Sequence, residues 1–545
     1  MRPSPTDPDT TEALQPEHDE MLPRVAGPSD LRLVLLAGAV LVALLLVGRL
    51  FPGSDGWLLV RIAAATAAVL VLPGALALRL LDGCLPRGVR LGAAAAWSLL
   101  LVFAAQAFSF AVHGSLVTTG VALVLLEVAL LAVSWRRHRW GTPAPTAQWR
   151  AAGVRSLFRE SWSSLGTVAT GLVLGGYVWW ARLPITGDAL EHLARTRKLA
   201  ELSSFDRVGV TEFFVDAGLH PGYAFPLWHT AMALVARLAG LDPAVVIQLA
   251  PAVITPMALV MVFGMGAALF GSRAAGFCTA VGQAALFGLA ASGVGAFAII
   301  TGPATISLVA LAPALLGVVF AFLDSGRRTD LLTVGAASLV LTVSHPTYSA
   351  YVLMLLVAFS AARFLLRAGT GTDVWRSLQA VAAAAVAAGL YLAWLAPIIA
   401  SQPSVGPQQA EVDRQLRVYN NQLDRYGDLY AMAPEAITRT GPACVIGLVG
   451  VAAALLAARR RWGGRSSSRG LASSCWSAWC RCCSRRSATW FPSRRPGAWS
   501  AFSRSRWRSP GWPCSPPVSG WPRSPSLHSW VSWSRRATPA TSPTR

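Results

Sequence analysis

Residues 179–229 read WWARLPITGDALEHLARTRKLAELSSFDRVGVTEFFVDAGLHPGYAFPLWH, and where they sit decides the fold. On either side the chain is almost pure Ala, Leu, Val and Gly. Inside the stretch, acidic, basic and histidine side chains crowd together. Charge is costly beside a bilayer, so a dense cluster next to a helix end marks a functional site. Whether the chain crosses a membrane just after this stretch sets the side of every later loop.

The surroundings are those of a polytopic membrane protein. Of 545 residues, 54% are hydrophobic and 13% charged, with a mean hydropathy of +0.49. A water-facing surface needs more charge than that. Apolar runs fall at 31–50, 57–80, 91–113, 116–134, 161–181, 246–270, 274–298, 303–323, 329–345, 347–366, 377–400 and 441–458. Each is close to the roughly 20 residues that cross a hydrocarbon core of about 30 Å. The expectation is an all-α polytopic protein of about twelve transmembrane helices. Residues 1–30, rich in Pro, Asp and Glu with no apolar core, read as a disordered cytoplasmic tail and not as a signal peptide. Four accessory spans occupy 31–134. The main membrane domain covers 161–458, with long polar loops at 182–245 and 401–440.

Arginines orient the spans. They gather at Arg79, Arg87 and Arg90, at Arg136, Arg137 and Arg139, at Arg273, at Arg327 and Arg328, at Arg363, Arg367 and Arg376, and at Arg459 to Arg461. A cytoplasmic N-terminus puts every group inside the cytoplasmic membrane, provided that 222–240 lies on the membrane surface as an interfacial helix and does not cross. Both long polar loops then face outward, and His345 falls at the outer end of its span.

The net charge of +21 does not point to nucleic acid, because 17 arginines lie from Arg459 onward, where no acidic residue follows Glu435. From 461 to 545 the texture changes to scattered Arg, Ser, Trp, Pro and Cys without helical or strand periodicity. Five of the eight cysteines and 10 of the 21 tryptophans lie beyond residue 460. A GC-rich gene read out of frame yields this mixture, so the native frame is expected to be lost near 460–470, with further spans following in it. A basic tail that binds anionic lipid is the alternative. Cys475, Cys480, Cys482 and Cys483 lack the paired spacing of a zinc box.

In TGDALEHLARTRK, helical geometry stacks Asp188, Glu191, His192 and Arg195 on one face. A carboxylate there can act as general base on a sugar or lipid hydroxyl. An adjacent arginine can hold a phosphate oxygen. The same residues also form a D-x-x-E helix start and an ordinary i, i+4 pair, and these roles are compatible with chemistry. His220, Tyr223 and His229 in HPGYAFPLWH, and His345 in TVSHPTYSAYV, are further candidates for binding substrate. Each is equally readable as a turn or a kinked helix start. Glu127 is the most deeply placed carboxylate, with Arg61 as a weak candidate partner. The loop AEVDRQLRVYNNQLDRYGDLYAM, 410–432, reads as a solvated surface helix or as a cover over a lipid-linked donor. No Walker loop, dinucleotide fingerprint or H-E-x-x-H motif stands out.

An outer segment with an acidic residue after an early span, then a basic helical stretch, the His220-Pro221 step and the run PLWHTAMALVARLAGLDPAVV resemble the GT-C superfamily of polytopic glycosyltransferases. That superfamily includes protein O-mannosyltransferases, lipid A aminoarabinose transferases and oligosaccharyltransferase subunits. The resemblance covers about residues 161–400. It implies that Asp188 matches the catalytic acidic residue of the first outer loop and that His220-Pro221 starts the HP segment. It also implies an inverting transfer from a polyprenyl-phosphate-linked sugar to a glycan, lipid or protein acceptor outside the membrane. The chain departs from the pattern in having HPG in place of HPP and four extra spans ahead of the loop. Gly187 and Ala189 flank Asp188, so the paired acidic motif that would hold a divalent metal is missing; a divalent metal stays open as a cofactor, and no other is expected. Two other functions use the same charged mouth: a transporter or flippase for lipid-linked saccharides, and a non-catalytic assembly protein.

Overall fold

Backbone groups in hydrocarbon find no water, so apolar runs of this length must satisfy their hydrogen bonds internally, as helices. The computed structural model describes residues 30–81, 85–140, 154–182, 184–185, 188–206, 209–210, 224–288, 296–365, 371–400, 423–426 and 429–432. All lie within Met1–Ser473, one of two units into which the chain divides. In chain order the helices are α1 (Asp30–Arg49), α2 (Asp55–Leu70), α3 (Leu72–Leu80), α4 (Arg87–Ala111), α5 (Leu116–Trp140), α6 (Val154–Ala181), α7 (Asp188–Glu201), α8 (Leu227–Ala239), α9 (Pro243–Leu249) and α10 (Pro251–Phe270). There follow α11 (Arg273–Gly288), α12 (Pro303–Ser325, with a π turn at Ser307–Leu311), α13 (Arg328–Ser344), α14 (Pro346–Leu365) and α15 (Gly371–Ala400).

Among the described residues seven helices are long and apolar enough to cross a membrane: α2 with α3, then α4, α5, α10, α12, α14 and α15. The bent pair α8–α9, which turns by 106°, makes eight if it counts as one span. The chain is therefore a helical protein with several membrane-length apolar helices, of which the described residues show seven or eight. Of the remaining expected spans, α1 is apolar over Val34–Arg49 only, α11 and α13 are 16 and 17 residues long, and Ser, Thr and Gly dilute α6. The run at 441–458 and the tail from 461 lie outside the described residues.

Three expectations need correction. The run after Pro226 does not lie on a membrane surface: every residue from Leu227 to Ala236 is buried, packed among α2, α4, α7 and α9. Its lone charge, Arg237, sits in the last turn, and a helix that is apolar all round belongs inside. Arg61 does not pair with Glu127. It is buried and reaches the end of α8, where Nε donates to the Ala239 carbonyl at 2.8 Å and Nη2 to that of Gly240 at 2.8 Å. With Arg49 on the Leu238 carbonyl, it satisfies and neutralises a helix C-terminus. Finally, part of the 401–440 loop is strand and not helix: Leu423–Tyr426 pairs antiparallel with Leu429–Met432.

Helix contacts sort the molecule into two ends. On α3 and α5, Arg79 Nε donates to Ser134 Oγ at 2.8 Å, and Arg137 Nη1 to the Leu80 carbonyl at 2.6 Å. Gly88, at the start of α4, touches Gly264 near the end of α10. Arg376 Nη1 donates to the Leu323 carbonyl at the end of α12, and Arg363 Nη1 to Ser377 Oγ at 3.0 Å. Trp97 on α4 bonds Thr333 on α13, and Ser338 on α13 bonds Ala384 on α15, so these three helices run parallel from arginine-bearing starts. Among the described residues Arg79, Arg137, Arg363 and Arg376 thus gather at one end, and His113, His192, His229 and His345 lie toward the other.

Close approach depends on small residues. The span α2–α3 breaks at Val71, ahead of Pro73, whose ring cannot continue the ladder. Just beyond, a Cβ on Gly74 would overlap the Ala94 carbonyl oxygen, while the Gly74 N–H donates to Ser98 Oγ at 2.8 Å. Gly74→Ala is expected to cost at least about 1–3 kcal/mol, the usual overpacking penalty. Thermal unfolding in detergent measures it, and an unchanged melting temperature would contradict so tight an α3–α4 contact.

Candidate functional site

Helix α7 is built for its position. Asp188 and Glu191 lie in its first turn and Lys198 in its last, as the helix dipole favours. His192, Arg195, Thr196 and Leu199 form its buried face, packed on α8. A second tie runs to α9, where Arg197 Nη2 bonds Asp242 Oδ1 at 2.7 Å. Asp242 also accepts from the Ala244 N–H and caps α9 ahead of Pro243.

The four residues expected on one face of α7 do share it, but they are graded in depth. The Asp188 side chain is 76% exposed, Glu191 is half-buried, and His192 and Arg195 are buried. Asp188 Oδ2 lies 3.3 Å from His192 Nε2. On the far side of the same ring, His192 Nδ1 lies 3.1 Å from Nε2 of His229, which is buried at the start of α8. A carboxylate only accepts, so it favours the tautomer in which His192 Nε2–H donates to Asp188. Nδ1 is then left to accept from His229 Nε2–H. The result is a polar chain that runs from an exposed carboxylate through one buried imidazole into a second.

Arg195 gives two donors to Glu191, Nε at 3.2 Å and Nη2 at 3.1 Å, so the i, i+4 pair exists. His345 stands at the junction of α13 and α14, with its ring against Tyr348 at 4.8 Å. Its Nδ1 is buried with no hydrogen-bond partner among the described residues. His220 and Tyr223 lie outside the described residues.

Two supports were not legible in the sequence. Trp228 Nε1 donates to the Thr301 carbonyl at 2.6 Å, fixing the start of α8 against the approach to α12. Next to it, a Cβ on Gly302 would stand 3.2 Å from His192 Cδ2, so a larger residue there would push on the ring. The Gly302-Pro303 step before an apolar run was the only hint.

Burial lowers the pKa of His192 against the opposing pull of Asp188 and Glu191, and Arg195 lowers it further. The folded chain thus favours the neutral His192 ring. In acid the unfolded chain takes up protons that the folded chain refuses, so stability is complete above the ordinary value of about 6.5 and falls as pH drops below it. Melting temperature measured from mild alkali to mild acid should decline through that window. A His192→Gln chain should decline less, and an identical slope would remove His192 from the effect.

Among the described residues no group of three or more His, Cys, Asp or Glu side chains is arranged to hold a metal ion. The family model that matches the chain is described as a family of unknown function, DUF6541, and spans residues 67–486. Comparison with curated proteins and with solved structures gives no match.

Proposed function

We propose that this chain, which belongs to the family of unknown function DUF6541, is a multi-pass membrane glycosyltransferase. It moves a sugar from a polyprenyl-phosphate-linked donor to a glycan, lipid or protein acceptor on the outer face of the cytoplasmic membrane. One observation carries the reading: Asp188 stands exposed at a helix start with its carboxylate held by a buried imidazole pair. An ion pair made only for surface stability would not need two buried histidines behind it.

In this reading Asp188 takes the proton of the acceptor hydroxyl as its oxygen attacks the anomeric carbon. The bond from that carbon to the phosphate oxygen breaks, polyprenyl phosphate leaves with the electron pair, and the configuration inverts. His192 orients the carboxylate. Glu191, Arg195, His229 and His345 shape the surroundings of donor and acceptor, and His220 and Tyr223 complete them.

The arginine end faces the cytoplasm. The buried pair α8–α9 then enters and leaves by the same face, which keeps both polar loops outside and the N-terminus inside. Counting α1, α6, α11, α13 and the run at 441–458 brings the number of spans to about twelve, as α8–α9 adds none. Purified full-length protein in vesicles, given radiolabelled polyprenyl-phosphate sugars and membrane acceptors, should form a new glycosidic bond. Labelled sugar that crosses the vesicle without such a bond would replace the enzyme by a transporter.

A further inference from the structure

The histidine end holds a second feature, a cavity of about 560 Å³. That size lies within the range of about 300–1,000 Å³ typical of small-molecule sites. It is walled by α4, α13 and α15 and by the segment before α8, and five rings dominate it: Phe103, Phe110, Phe225, Tyr391 and Trp394. They brace one another and do not fill the space. The Phe225 centroid lies 4.5 Å from Phe103, 5.5 Å from Phe110 and 6.3 Å, edge-on, from Trp394, and Tyr391 stands 5.5 Å from Trp394. Leu390, also on the wall, is 70% exposed on the apolar outer side of α15. An occupant that enters past Leu390 crosses an apolar surface.

Its polar side chains are a second observation. Among the described residues, only His113 and Asp206 bring polar side chains to the wall apart from the Tyr391 hydroxyl, and no lysine or arginine lines it. His113 is held at φ 50°, a left-handed conformation that a non-glycine residue adopts under constraint from its surroundings. The constraint is visible: the Gly114 N–H donates to the Ser109 carbonyl at 2.8 Å, and the Phe205 N–H to that of Gly114. That last bond also fixes Asp206, whose Oδ1 accepts from the Gly209 N–H. The Asp206 carboxylate repels a phosphate and accepts from a hydroxyl, and the His113 imidazole can bond the same hydroxyl.

We infer that this cavity binds the hydrocarbon part of an uncharged, hydroxyl-headed lipid, with the hydroxyl at His113 and Asp206. The site does not depend on the glycosyl transfer proposed above, whose donor carries a phosphate.

Photo-crosslinking of the purified full chain in lipid nanodiscs tests it, with diazirine-bearing farnesol, hexadecanol and farnesyl phosphate as probes and peptide mapping as readout. Capture of either alcohol within Phe103–His113 or Leu390–Trp394 is expected, displaced by the unlabelled alcohol. The phosphate should be captured about tenfold less, as like charge at the mouth opposes it. Ala107→Trp fills the cavity and should abolish capture at an unchanged melting temperature. Should that variant fail to fold, Asp206→Lys, at an exposed position, should reverse the preference toward the phosphate. Equal capture of alcohol and phosphate, or capture indifferent to these substitutions, overturns the assignment. None of these readouts requires sugar transfer, so this site and the proposed enzyme stand or fall separately.

Discussion

Asp188→Asn is expected to lower sugar transfer by about 10²–10⁴-fold, the range that a positioned general base contributes. Protein level and melting temperature should stay where they are. The side chain is 76% exposed, and among the described residues its one partner is His192 at 3.3 Å. A single hydrogen bond between this exposed carboxylate and a neutral imidazole contributes roughly 0.5–1.5 kcal/mol. The amide keeps the size of the carboxylate and one acceptor oxygen, but it does not take a proton at neutral pH. Transfer assays on membranes from both chains, normalised to protein level, separate the outcomes. Unchanged transfer removes Asp188 from the mechanism. Lost transfer with a collapsed melting temperature would make the residue structural.

Trp228→Ala is expected to be the most damaging single change for stability, at about 3–5 kcal/mol, as for other large side chains removed from a core. Trp228 is 2% exposed, and its indole N–H bonds the Thr301 carbonyl at 2.6 Å. Truncation leaves a void beside His229 and takes the indole donor away from a buried carbonyl. Trp228→Phe keeps most of the ring volume and loses the bond, so it should cost about 1–3 kcal/mol, the penalty of an unsatisfied buried acceptor. Thermal unfolding in detergent orders the three proteins. Equal melting temperatures for wild type and Trp228→Ala would show that α8 is not held from this point. The stake is functional as well, because α8 carries His229 into the chain that backs Asp188.

How much could be read in advance varied with the residue. The arginine groups at Arg79, Arg137, Arg327, Arg363 and Arg376 were legible, since the side of a span end is marked by charge in its own short loop. The helix starting at Asp188 was legible too, with the Glu191–Arg195 pair inside it, because i, i+4 spacing is local. The burial of α8 was not. With Arg237 as its lone charge and two aromatic or polar side chains, Trp228 and His229, at its start, the run resembles an interfacial helix until α2, α4, α7 and α9 are seen around it. Nor could Arg61 be assigned: its carbonyl partners on α8 lie 178 and 179 residues away, whereas a search for opposite charge finds only Glu127. The aromatic cavity draws its rings from α4, α15 and the segment before α8, and no one of these announces a site by itself.

Taken alone, the sequence determined that the chain makes membrane-length helices and which of their ends carry arginine. Length, apolarity and charge are properties of a segment and need no partner. Only the tertiary structure decided that His192 meets His229, that Asp188 stays in reach of solvent, and that rings from distant helices enclose an open space. Those facts depend on how helices pack, through glycines such as Gly74 and Gly264 that let backbones touch, and packing is a property of the whole assembly of segments.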